Sequence, residues 1–255
     1  MNKNTTKYLL LFVKQYYIWA VIAIFSLYLI SVIMKTPSIS GKFFFLIMGS
    51  SIIIGGIYYE YLKKIYQKMI IAQTQRLDLA LAKQYQEQLE KLDFFHGFKG
   101  SIILFDTLCL IDQQNYLNCL QHLKKNEAFF KAKLDYLFIF YYHQLLCYYF
   151  LDQTTNARVI MAKLKQFKTI NQKKLSPLFS FEQIDGIEYL LNNRNQKGLA
   201  TLEAIDTHHF NPREKILHYQ IMLKVAKQKQ ETKRIINYQK TIQNLTGGEK
   251  NETIK

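Results

Sequence analysis

A chain of 255 residues with only 10 Gly and 3 Pro lacks the turn-formers that a sandwich or barrel needs, and 49% hydrophobic residues then call for a mostly helical protein. The formal charge of +15 rests on 34 Lys and Arg, but only Arg76, Arg158, Arg194, Arg213 and Arg234 are arginines. Bidentate reading of phosphates and guanine edges is the specialty of Arg, so specific nucleic-acid binding is disfavoured, whereas a diffuse Lys excess suits an anionic membrane face at about 1 kcal/mol per nearby Lys.

After a short N-terminal segment (1–15), residues 16–34 (YYIWAVIAIFSLYLISVIM) carry no charge, and neither do residues 43–59 (FFFLIMGSSIIIGGIYY). Both lengths fall in the range of about 17–25 residues that a spanning helix requires. The expected architecture is a transmembrane hairpin: helix 16–34, an external loop 35–42 with Pro37 and Gly41 as breakers, and helix 43–61. Lys3, Lys7 and Lys14 before the first span and Lys63, Lys64 and Lys68 after the second outnumber Lys35 and Lys42 between them, which places both termini in the cytoplasm. Lys63, Lys64 and Lys68 are also the expected lipid-headgroup contacts. Gly49, Ser51, Gly55 and Gly56 are the candidate packing positions of the second span, with the Ser51-xxx-Gly55 spacing as the close-approach face.

No Gly or Pro interrupts residues 58–95, so residues 62–96 read as one juxtamembrane helix that continues the second span, with its apolar stripe changing phase near Arg76. Residues 97–246 then read as successive helix pairs at roughly 101–125, 130–168, 178–206 and 212–246, with polar turns at 112–115, 152–156 and 192–196. Gly247 and Gly248 end the last helix, and residues 247–255 form a polar, disordered tail. The nearly continuous apolar run at 134–151 competes as a third span, but Asp135, His143 and Gln144 are costly in hydrocarbon, so a central helix contacted on several sides is the better reading.

Small residues follow the three turns at Cys119, Ala157 and Gly198, and Pro177 and Pro212 each open a pair, 35 positions apart. This pattern resembles a divergent tetratricopeptide-like (TPR-like) repeat array, whose unit of about 34 residues is a helix-turn-helix with a small residue at the crossing. The usual Trp and Leu-Gly positions are absent, and no Pro precedes the second pair. The resemblance implies an all-α fold, a cytoplasmic α-solenoid of stacked helical hairpins behind the membrane anchor, and a concave binding face.

Chemistry-bearing motifs are lacking. His96, His122, His143, His208, His209 and His218 show no spacing that sets two metal ligands on one helix face, and there is no GxxxxGK[ST], GxGxxG or Gly-x-Ser-x-Gly. No cofactor, metal or catalytic residue is therefore expected. His143 reads as a hydrogen-bonded core residue, His208-His209 as a solvated turn, and Cys109, Cys119 and Cys147 as reduced, buried thiols. Glu182, Asp185 and Glu188, at three-residue spacing, form an acidic stripe and a candidate partner-binding face for a basic peptide. The expected function is that of a non-enzymatic adaptor or scaffold in the cell membrane, in contact with lipids and binding a protein or peptide on the cytoplasmic side. The alternative is a regulatory peptide receptor or immunity-type membrane protein.

Overall fold

A computed structural model describes residues 3–169 and 181–247, with side chains described over 19–167 and 181–247. All regular structure among these residues is α-helical. The chain divides between Tyr66 and Gln67 into two compact units.

The first unit holds α1 (Lys3–Lys35) and most of α2 (Ile39–Thr74). The expected 1–15 segment and first span merge into α1; the side chains of Lys3, Lys7 and Lys14 lie outside the described residues. Only residues 36–38 separate the helices, because Ser38 Oγ accepts from Gly41 N at 3.1 Å and so caps α2 inside the expected loop. Gly41 is thus not a breaker but a first-turn residue, and a Cβ there would lie 2.8 Å from both Ser38 Oγ and Thr36 Cγ2. α2 is long and apolar enough to cross a membrane, and Ile47, Ile52 and Ile54 along it are exposed. The part of α1 with described side chains, Trp19–Lys35, is a shorter apolar helix.

Among the described residues, the contacts between α1 and α2 climb one helix as they descend the other. A Cβ on Gly49 would collide with the Leu29 side chain, Gly56 faces Ile22 Cδ1 at 3.8 Å, and Lys64 Nζ lies 5.7 Å from the Trp19 ring centroid. Among the described residues, the Ser51-xxx-Gly55 face makes no contact with α1. Ser51 is exposed with its hydroxyl donating back to Ile47 O at 2.8 Å, and nothing lies within 4 Å of a Cβ on Gly55. Since 3.6 residues complete a turn, positions seven apart share a face, and Gly49 with Gly56 forms the actual seam. Gly49→Leu should cost about 1–3 kcal/mol through overpacking while Gly55→Leu changes little; thermal unfolding of both variants in detergent checks this.

In the second unit the single juxtamembrane helix expected over 62–96 is two helices. α2 stops at Thr74, Leu77 takes φ 55°, and Asp78 caps α3 (Leu79–Leu92) by accepting from Leu81 N at 2.9 Å. The phase change of the apolar stripe at Arg76 marks this break. α3 ends at Asp93, and Gly100 lies in the first turn of α4.

The remaining helices are α4 (Lys99–Asp112), α5 (Tyr116–Lys125), a five-residue α6 (Glu127–Lys131), α7 (Leu134–Phe150), α8 (Thr154–Thr169), α9 (Phe181–Leu191), α10 (Asn195–Glu203), α11 (Pro212–Gln228) and α12 (Thr232–Gly247). α4 packs on α5, α7 on α8, α9 on α10 and α11 on α12, while α5–α7, α8–α9 and α10–α11 link one pair to the next. The turn within each pair has one residue in the left-handed region: Gln114, Asp152, Asn193 and Gln230, at φ 55–58°. The N–H after each bonds back to the carbonyl five residues earlier, as from Asn115 to Leu110 and from Glu231 to Ala226. Five positions beyond these residues stand buried Cys119, Ala157 and Gly198, and then the larger Ile235. A Cβ on Gly198 would strike Leu190 and lie 3.1 Å from the Gly186 carbonyl oxygen, so α9 and α10 cross at close range there. Pro212 opens α11 behind a capping box in which Asn211 and Glu214 bond reciprocally at 2.9 Å. Pro177 and the tail 248–255 lie outside the described residues.

The core runs from α4 to α12 around α7. Phe138, Phe140, Tyr142, His143, Leu145, Leu146, Cys147 and Tyr149 of α7 are buried, which accounts for its apolarity on nearly all sides. Cys109, Cys119 and Cys147 are buried free thiols.

Candidate functional site

The first helices of the pairs are joined through buried polar groups. Tyr142 Oη on α7 donates to Gln183 Oε1 on α9 at 2.6 Å, and Gln183 Nε2 reaches His218 Nδ1 on α11 at 3.3 Å. Tyr149 Oη donates to Ile221 O at 3.0 Å, and Lys224 on α11 caps the end of α7 by donating to Tyr149 O and Phe150 O and pairing with Asp152 at 2.7 Å. In an ideal solenoid each repeat contacts only its neighbours, yet α11 also reaches α7 and α4. Tyr142 and His218 are 1% exposed and Gln183 5%, so this chain of polar contacts lies inside the core.

The contact between α11 and α4 is the most distinctive polar site. Arg213 Nε donates to Asp112 Oδ2 at 2.8 Å across 101 residues of sequence, and Gln73 Nε2 donates to the same oxygen at 3.0 Å. Arg213 Nη2 lies 3.5 Å from Leu108 O. The Arg213 side chain is 8% exposed and that of Asp112 24%. Asp112 is the last residue of α4 and Arg213 the second of α11, so each sits at the helix end that its charge disfavours, and each neutralises the other there. Gln73 Nε2 also approaches Cys109 Sγ at 3.6 Å, and burial, opposed in part by Lys83, pushes that thiol up to about 12. Gln73 is 3% exposed, and its Oε1 is a buried acceptor without a donor among the described residues.

These three residues line a cavity of about 250 Å³ whose other walls include Leu77, Leu79, Ile216, Leu217 and Ile242. Since an apolar void of about 150 Å³ holds a benzene ring, the space accommodates one or two large apolar side chains and not a folded domain. An aliphatic or aromatic group matches the apolar walls of the cavity.

The sequence-predicted residues lie elsewhere. Lys63 pairs with Glu60 at 3.0 Å, Lys64 covers Trp19, and Lys68 Nζ lies 5.9 Å from the Tyr85 ring centroid. On α9, Glu182 is exposed, Asp185 and Glu188 are half-buried, and Glu188 is ion-paired with Lys165 of α8. His143 Nδ1 lies 2.8 Å from Ile139 O in the core, and His208 and His209 are exposed. Among the described residues no three His, Cys, Asp or Glu side chains converge as a metal site requires. The sequence reading missed Gln73, Asp112 and Arg213 as a group. The available signal was an Arg directly after Pro212, at a helix start where a cation needs a nearby anion. No family model, no curated protein and no solved structure matches the chain.

Proposed function

We propose that the chain is a membrane-anchored, non-enzymatic adaptor. α1 and α2 cross the bilayer as a two-span hairpin with both termini cytoplasmic, and the helix pairs beyond, a divergent TPR-like array, bind a protein or peptide partner. The apolar, exposed α2 supports the anchor. The four turns of shared backbone conformation, followed at one register by Cys119, Ala157 and Gly198, support the repeat reading.

The observation that carries partner binding is the α4–α11–α12 cavity, with its buried Arg213–Asp112–Gln73 end and apolar walls. Its small size also favours the second reading, a regulatory receptor for a short peptide whose one or two apolar side chains enter it.

Ile242→Trp should fill the cavity from α12 without touching the ion pair. Val159→Trp, at a 54% exposed position on α8, is the control. Affinity capture with cross-linking from native membranes should lose a partner of the wild-type chain by about tenfold with Ile242→Trp, as expected when an anchoring pocket is blocked. Equal recovery with both variants removes the cavity from the recognition site.

A further inference from the structure

The turn between α3 and α4 exposes two adjacent aromatic rings, Phe94 at 79% and Phe95 at 86%. The turn itself is firmly built. Asp93 is 4% exposed, and its carboxylate accepts from Gly97 N at 3.0 Å and Phe98 N at 2.7 Å. Phe94 N and His96 N close back on Leu92 O and Asp93 O, and His96 takes φ 54°. Phe98 is buried at 7%, so the local fold takes one phenylalanine inward and holds two outward. Full burial of a Phe contributes about 1.5–3 kcal/mol, which the chain forgoes twice here.

Cations flank the rings. Lys91 and Lys99 are exposed around the turn, while the Asp93 carboxylate is turned inward to the Gly97 and Phe98 backbone N–H groups and that of Glu90 accepts from Gln86 Nε2 at 2.9 Å. Aromatic rings at the tip with lysines at the base match an anionic bilayer interface, where rings enter the headgroup boundary and ammonium groups meet lipid phosphates. The same chain carries α2, a helix long and apolar enough to cross a membrane.

We infer that Phe94 and Phe95 form a membrane-inserting wedge, a lipid contact of the second unit separate from the α1–α2 anchor. This inference rests on the membrane-anchored reading. The wedge takes an anionic phospholipid surface as its ligand, with the rings among the headgroups and Lys91 and Lys99 beside the phosphates.

The test uses the full chain with Trp19→Phe and Phe95→Trp, so that the introduced indole is the sole tryptophan. The protein is reconstituted into phosphatidylcholine vesicles with and without phosphatidylglycerol, with Phe94→Trp as the parallel variant. With phosphatidylglycerol present, shallow spin-labelled lipids should remove most of the indole emission and acrylamide should quench it weakly; high salt should reduce the lipid quenching. An indole open to acrylamide and untouched by lipid quenchers overturns the wedge. Protection from both quenchers also overturns it, because a protein surface then covers the turn. Vesicle flotation reports the anchor separately: a chain that floats with an unquenched indole refutes the wedge alone, and one that does not float refutes the anchoring and the wedge together.

Discussion

Arg213→Met should destabilise the folded chain by about 3 kcal/mol, at the lower end of the 3–5 kcal/mol typical of removing one partner of a buried ion pair. The loss comes less from the missing attraction than from what remains. Asp112, at the C-terminal end of α4, would face the negative end of its own helix with only Gln73 Nε2 bonded to it. Its side chain keeps 24% exposure, so water relieves part of the cost. Asp112→Leu should cost a similar amount by stranding the Arg213 guanidinium, which is only 8% exposed. The double variant should recover most of the loss, because two apolar side chains of similar volume need no partners. Denaturant unfolding of the four proteins in detergent gives the coupling energy. Additive losses would mean that the pair contributes no mutual stabilisation and that α4 and α11 are held together by their apolar contacts alone.

The all-helical class was legible because Gly and Pro are scarce and apolar positions recur at three-and-four spacing beyond residue 100. The polar segments at 112–115, 152–156 and 192–196 carry the turns; Asp152 and Asn193 are of the types that tolerate the left-handed conformation, whereas Gln114 takes it without that preference. Local composition cannot reveal where a helix caps itself. Ser38 starts α2 inside a segment that reads as loop, and Leu77 ends it with a side chain that carries no turn signal, so Asp78 had to be recognised as a cap. Small residues at 49, 51, 55 and 56 are all packing candidates, the Ser51-xxx-Gly55 spacing stands out among them, and only the rotation of α2 against α1 brings Gly49 and Gly56 to the helix contact instead. The cavity was invisible for a deeper reason. Gln73, Asp112 and Arg213 are ordinary polar residues in their own helices, and their meaning arises when α11 reaches back to α4 over 101 positions.

His143 gives the core a defined pH response. Its ring is buried at 1% exposure on α7, and as a neutral imidazole its Nδ1–H donates to Ile139 O at 2.8 Å. Burial, opposed in part by that bond, pushes its pKa down to about 4, and nearby Arg213 acts in the same downward direction. In the unfolded chain the ring titrates near 6.5, so between those values the unfolded state binds the extra proton. The associated stability is fully present above about pH 6.5 and is lost as the pH falls toward 4. At pH 5 the loss is about 2 kcal/mol. Burial also lowers the pKa of His218, which adds to the loss in the same direction. His143→Leu removes the titrating group while keeping the site apolar, so its stability should fall between pH 7 and pH 5 by about 2 kcal/mol less than that of the wild type. Thermal unfolding at the two pH values measures both slopes. Parallel slopes would place the protonation of His143 outside the unfolding transition and show that another group sets the acid limit of the fold.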